Sequence, residues 1–226
     1  MKRYSKIIKK YPREFLLLQG TGCKYKKCTY CDYYLDVSEE PFLVNFPIIE
    51  KVTGEFGVLD FINSGSAVEL DSQTLMALKS KIIEKNISTI WCEAHWIYRD
   101  HLKKFSENFR NSEVKYRIGV ETFNENLRKN WQKGMENTRP EEIAKYFQAA
   151  ILLVGIKGQK IDDIRRDIEI AEKHFERYIV NVFIENSTST QVDDDLKEEF
   201  KNEFLEYLTK NPKAELLLQN TDFGVG

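Results

Sequence analysis

The chain has 226 residues, 42% of them apolar and 31% charged, which suits one folded domain with a sizeable core and leaves little room for disorder. A net charge of −2 argues against a polynucleotide as the main partner, because that role calls for a basic surface. No stretch approaches the roughly 18 apolar residues of a spanning helix, and the basic start lacks the apolar segment of a signal peptide, so a cytoplasmic protein with no membrane partner is expected.

Six of the first 13 residues are lysine or arginine, which reads equally as a solvated terminus or a phosphate-binding patch. An apolar run at 15–18 follows, and directly after it comes Gly20-Thr-Gly-Cys23-Lys-Tyr-Lys-Lys-Cys28-Thr-Tyr-Cys31. Three of the four cysteines thus lie within nine residues, spaced C-x4-C-x2-C. Packing needs one buried sulfur and not three, and so few cysteines make no disulfide framework. Soft thiolates suit iron–sulfur clusters or zinc, and Lys24, Lys26 and Lys27 would stabilise them before metal arrives. A structural zinc or a plant-type 2Fe–2S cluster requires a fourth protein ligand. Three thiolates alone leave one metal position open.

Residues 31–56 contain two prolines and read as a loop followed by a short helix at 44–53. Apolar runs of strand length then recur, at 58–63, 88–93, 114–121, 150–155, 178–185 and 215–219, with amphipathic stretches such as 71–86 and 161–175 between them. In the latter Ile161, Ile164, Ile168, Ala171 and Phe175 form one stripe, with acids in the first turn and Lys173 and His174 in the last. Thr138-Arg-Pro-Glu141 reads as a capping box with proline in the first turn. Strand alternating with helix implies βαβ units and a parallel sheet. No repeat or linker divides residues 1–226, so a single domain is expected.

Several strands alternate, unlike parallel strands buried on both faces. Val114, Tyr116, Ile118 and Val120 oppose Lys115, Arg117, Gly119 and Glu121; Val180, Val182 and Ile184 oppose Asn181, Phe183 and Glu185. One apolar face against helices and one polar face inward describe a barrel with a wet lumen. The expectation is an α/β fold, an open, partial βα barrel of about six parallel strands. Chemistry in such barrels gathers at C-terminal strand ends. Those ends carry the cysteine triplet, then Ser64-Gly65-Ser66, Glu93 with His95, Glu121, Gly155-Ile-Lys-Gly158, Glu185-Asn186 and Asn220-Thr-Asp222. Cys92 neighbours Glu93 on a strand and so faces the other way if Glu93 looks into the lumen, which favours a packing role. His95 is the other candidate for a fourth ligand, though a rim histidine more often plays a plain polar role. Three thiolates with an open metal position is the favoured reading.

These residues resemble the radical S-adenosylmethionine (SAM) superfamily over roughly residues 14–222. Cys23, Cys28 and Cys31 match its triplet, with aromatic Tyr30 before the last cysteine. One departure is the four residues between the first two cysteines, where most members have three. Ser64 and Gly65 are similar to the segment that meets the methionine amino group, Glu93 and Glu121 to polar strand-end positions near SAM, and Gly155 and Ile156 to the segment along the adenine. The resemblance implies a 4Fe–4S cluster on the three cysteines, SAM as cofactor, and an electron donor such as flavodoxin or ferredoxin. Within the superfamily, the short form is similar to queuine lyases, which release queuine from queuosine 5′-phosphate. That likeness implies a small nucleotide substrate, with Asn181 and Asp222 as substrate-binding residues. Without it, an iron–sulfur electron-transfer protein and a zinc-stabilised βα protein remain the competing readings.

Overall fold

The computed structural model describes residues Met1–Gly226. In chain order its elements are β1 (Tyr4–Ile7), β2 (Arg13–Leu17), α1 (Pro41–Ile49), β3 (Val58–Ile62), α2 (Ser72–Glu84), β4 (Thr89–Glu93), α3 (Leu102–Ser106), β5 (Glu113–Glu121), α4 (Glu125–Asn130), α5 (Pro140–Ile143), β6 (Ala149–Val154), α6 (Ile161–His174), β7 (Arg177–Val182), α7 (Asp194–Lys210) and β8 (Ala214–Leu217). All eight strands belong to one sheet, ordered β1 to β8 as in the sequence. Each of β2–β3, β3–β4, β5–β6, β6–β7 and β7–β8 is parallel. This is the succession of βα units that the alternating pattern predicts. The chain forms two compact units, one of Met1–Lys26, Tyr33–Tyr116 and Thr221–Gly226, the other of Lys27–Asp32 and Arg117–Asn220.

In the first unit the basic N-terminus is not merely solvated. Residues 4–7 form β1, antiparallel to β2 with Tyr4 opposite Leu16. Lys2 and Gly226 exchange backbone hydrogen bonds of 3.0 and 2.8 Å, and Arg3 grips Asp36 through two bonds. The short helix begins earlier than 44 because Pro41 occupies its first turn, where its fixed φ fits and its missing N–H costs nothing. Asn45 on this helix accepts from Gln19 N at 2.8 Å and donates to Gln19 O at 2.8 Å, fixing α1 to the chain leaving β2. Helix α2 is capped by Asp71, which accepts from Thr74 N, and buries Leu78 and Ile82.

In the second unit α6 buries Ile164, Ile168 and Ala171, the stripe expected from spacing. Helix α7 buries Leu196, Phe200, Phe204 and Leu208 at four-residue intervals. The expected capping box at Thr138 does not form. Arg139 holds the N-cap position without a side-chain bond, and Thr138 Oγ1 turns to Glu136 O instead. Pro140 does start that helix.

The polar strand faces are less wet than alternation suggests. In the first unit Arg13 and Asp60, both fully buried, pair at 2.9 Å. In the second, Arg177 and Glu215 pair at 3.7 Å under nearly complete burial. A buried charge left alone would be strongly destabilising, so the pairs keep one another there.

Candidate active site

The first unit holds Cys23 in a loop built on backbone contacts. Gly20 N, just past β2, donates to Ser64 Oγ at 2.8 Å, which ties the start of the cysteine loop to the end of β3. Gly65 follows. A Cβ there would lie 3.0 Å from Gly22 O and 3.2 Å from Cys23 Cα, and would collide with Glu69, so only glycine lets the two segments pass this closely. Ser66 and Glu69 form a reciprocal capping box. Glu69 Oε2 accepts from Ser66 N at 2.6 Å, while Oε1 accepts from Lys24 N at 2.9 Å and Tyr98 OH at 2.7 Å. One carboxylate therefore braces the backbone next to Cys23. Burial pushes the Tyr98 hydroxyl upward, and Glu69 beside it pushes the same way.

His95 caps the turn after β4, accepting from Ile97 N at 3.3 Å and stacking on Tyr25 at 4.1 Å. Its backbone N donates to Ser66 Oγ at 3.0 Å. Glu93 ends β4, half-buried, and Cys92 beside it is fully buried, in keeping with a packing role. A recess of about 310 Å³ beside Cys23 is lined by Gly22, Lys26 and Tyr34 among others, and Lys26 Nζ sits 4.4 Å from the centre of the Tyr34 ring. A larger groove of about 1170 Å³ runs along α2 and α3, past Lys79, Ile82 and Phe105, and contains no cysteine.

The second unit holds Cys28 and Cys31. Both pack against a buried apolar cluster of Tyr30, Trp131, Leu153, Ile156 and Phe183. The segment is further tied by Thr29 N to Trp131 O at 3.1 Å, Asn186 Nδ2 to Tyr30 O at 2.8 Å, Thr190 Oγ1 to Thr29 O at 2.9 Å and Ser187 Oγ to Asp32 at 2.9 Å. Tyr30 OH donates to Glu121 Oε1 at 3.0 Å, and Lys133 Nζ reaches the same oxygen at 2.8 Å. Burial raises the Tyr30 hydroxyl well above its ordinary value, with Glu121 and then Cys28 and Cys31 adding to it.

Glu121 departs from simple strand alternation. The pairing of β5 with β6 slips between Gly119 and Glu121, and Glu121 stands at φ 67°, where non-glycine residues are strained. Its carboxylate lies over Gly119, where a Cβ would collide with Oε1. Gly155 sits at φ 93° and donates to Gln159 Oε1 at 3.0 Å, while Ile156 is buried. Asn181 lies between Leu153 and Leu217 in the sheet register, so it shares a face with the apolar cluster. Its Oδ1 is buried without a hydrogen-bond partner, an arrangement that costs free energy until a donor arrives.

Each unit thus gathers part of the expected set: Cys23, Ser64, Gly65 and Glu93 with exposed Asp222 in the first, and Cys28, Tyr30, Cys31, Glu121, Gly155, Ile156 and Asn181 in the second. Two residues were missed. Glu69 was legible as Ser66-x-x-Glu69, a capping-box spacing; Lys133 carries no local signal. None of the four cysteines is in a disulfide, and the triplet is half-exposed. No three His, Cys, Asp or Glu side chains converge on one point as a lone metal ion would require. An iron–sulfur cluster takes each thiolate on a separate iron, so its donors stand apart, and three accessible thiols with a fourth packed away fit that group.

No protein-family model matches the chain, and no curated protein does. Among solved structures it is similar to a queuine lyase from Clostridium spiroforme bound to SAM and queuine, with 39% identity and a TM-score of 0.95, covering 100% of this chain and 99% of that one. A likeness of that extent carries the fold with it, the open, partial βα barrel.

Proposed function

The chain belongs to the queuine lyase family of radical SAM enzymes, and on that premise we propose that it releases queuine from queuosine 5′-phosphate with SAM as cofactor. The observation that carries this reading is the end-to-end match to a lyase bound to SAM and queuine. Residues 1–226 act as one catalytic core.

In this reading Cys23, Cys28 and Cys31 hold a 4Fe–4S cluster, and Cys92 does not. Held there, the cluster would supply the electron for reductive cleavage of SAM and so the hydrogen-abstracting chemistry directed at the substrate ribose. This chain's residues bind, orient and exclude competing donors. Ser64, Gly65, Glu93, Tyr30, Glu121, Gly155 and Ile156 are the SAM-binding residues. Asn181, whose buried oxygen lacks a donor, accepts a hydrogen bond from the edge of the base, and Asp222 supplies a second polar contact. Lysines beside the cysteines receive the phosphate. The electron comes from a carrier such as flavodoxin or ferredoxin. No helix is long and apolar enough to cross a membrane. The cytoplasm is the proposed place of action.

The test is to load the protein with iron and sulfide without air, reduce it, and add SAM and queuosine 5′-phosphate. Queuine and 5′-deoxyadenosine should appear together by mass. If 5′-deoxyadenosine forms without queuine, the substrate is another small nucleotide.

A further inference from the structure

Lys133 lies beyond α4, in a turn whose preceding residue, Gln132, stands at φ 52°. The turn is held from two directions: Lys133 N donates to Arg128 O at 3.0 Å, and Trp131 O accepts from Thr29 N at 3.1 Å. Its ammonium is nearly buried, with 9% of the side chain exposed. It lies 2.8 Å from Glu121 Oε1 and 5.8 Å from the centre of the Tyr30 ring. Lys133 and Tyr30 both use Oε1, and Oε2 has no hydrogen bond to the protein. A purely structural pair gains most when both carboxylate oxygens are satisfied. Here one oxygen is saturated and its neighbour is left bare, on a residue held in a strained backbone conformation.

We infer that Lys133 is a positioning residue for cofactor binding: it neutralises Glu121, turns Oε2 toward a hydrogen-bond donor of SAM, and couples that carboxylate to Tyr30 between Cys28 and Cys31. This rests on the reading of the chain as a SAM enzyme. Lys133 acts on the cofactor through Glu121.

A double-mutant cycle tests it, with SAM affinity and iron content read on protein loaded without air. Lys133→Met should weaken SAM binding about tenfold, the range of a charge-assisted hydrogen bond, with iron content unchanged. Glu121→Gln should weaken binding by a similar factor. In the Glu121→Gln background, Lys133→Met should cost less than about twofold more, because the two residues act as a unit. That double variant also buries no lone charge, so it keeps the comparison if Lys133→Met alone folds poorly. Wild-type affinity in Lys133→Met, or an undiminished loss in the Glu121→Gln background, overturns the inference. A wild-type protein that takes up iron but binds no SAM overturns the family-based function first, and this role with it.

Discussion

Glu69 and Glu121 are both carboxylates next to the cysteine loop, and they are held by opposite means. Glu69, half-buried, accepts from two backbone N–H groups and the Tyr98 hydroxyl, and both of its oxygens are used. Glu121, buried, takes an ammonium and a phenol on one oxygen and leaves the other open. The first is a brace: its partners are backbone groups whose place it fixes. The second is a presented group, since its charge is balanced and one acceptor remains available. The difference teaches that a carboxylate at a strand end is not by itself a ligand contact. What its two oxygens already do decides the matter.

The largest expected effect lies outside both carboxylates and sets the scale. Cys28→Ala should abolish cluster loading, measured as iron per chain, whereas Cys92→Ala should load normally, because Cys92 is fully buried in packing. Iron retained in Cys28→Ala and lost in Cys92→Ala would reverse the ligand assignment.

Next comes the brace. Glu69→Ala leaves three donors without their acceptor, at a cost of about 2 kcal/mol or more, and should lower the melting midpoint by about 4–8 °C while reducing iron retention. Glu121→Gln should leave iron retention intact and weaken SAM binding. If Glu69→Ala spares iron retention while Glu121→Gln strips it, the two roles are interchanged.

The smallest effect concerns the turn that follows Glu121. Phe123 N donates to Asp167 Oδ1 at 2.6 Å, and burial pushes the Asp167 carboxyl up to about 7, with Thr122 and the Phe123 N–H opposing it. The folded chain therefore holds a proton that the unfolded chain has released. This group's stability is full below about pH 4 and is lost as pH rises through about 7. Asp167→Asn keeps an acceptor for Phe123 and removes the titration, so its stability should fall less than wild type between pH 5 and 8. Parallel stability curves for the two proteins would show that Asp167 does not carry this dependence.

Much of the fold was legible because its signals are local. The seven apolar runs became strands β2 to β8 within a few residues of their expected bounds, since burial on a sheet needs only a short apolar stretch between turns. The stripe on α6 held for the same reason. Strand β1 was hidden in a basic segment because its four residues gain order only by pairing with β2. Alternation in β5 foretold a polar Glu121 but not the slipped register that bends its carboxylate over Gly119.

The residues alone determined the cysteine triplet, its soft-ligand chemistry and the order of βα units, because these depend on side-chain type and spacing within a few turns of chain. Only the tertiary structure decided which charges are paired. Glu121 meets Lys133 twelve residues away and Tyr30 ninety-one residues away, and Arg13 meets Asp60 across 47. Pairing of buried charges is governed by desolvation and close geometry, and neither is present in the chain until it has folded.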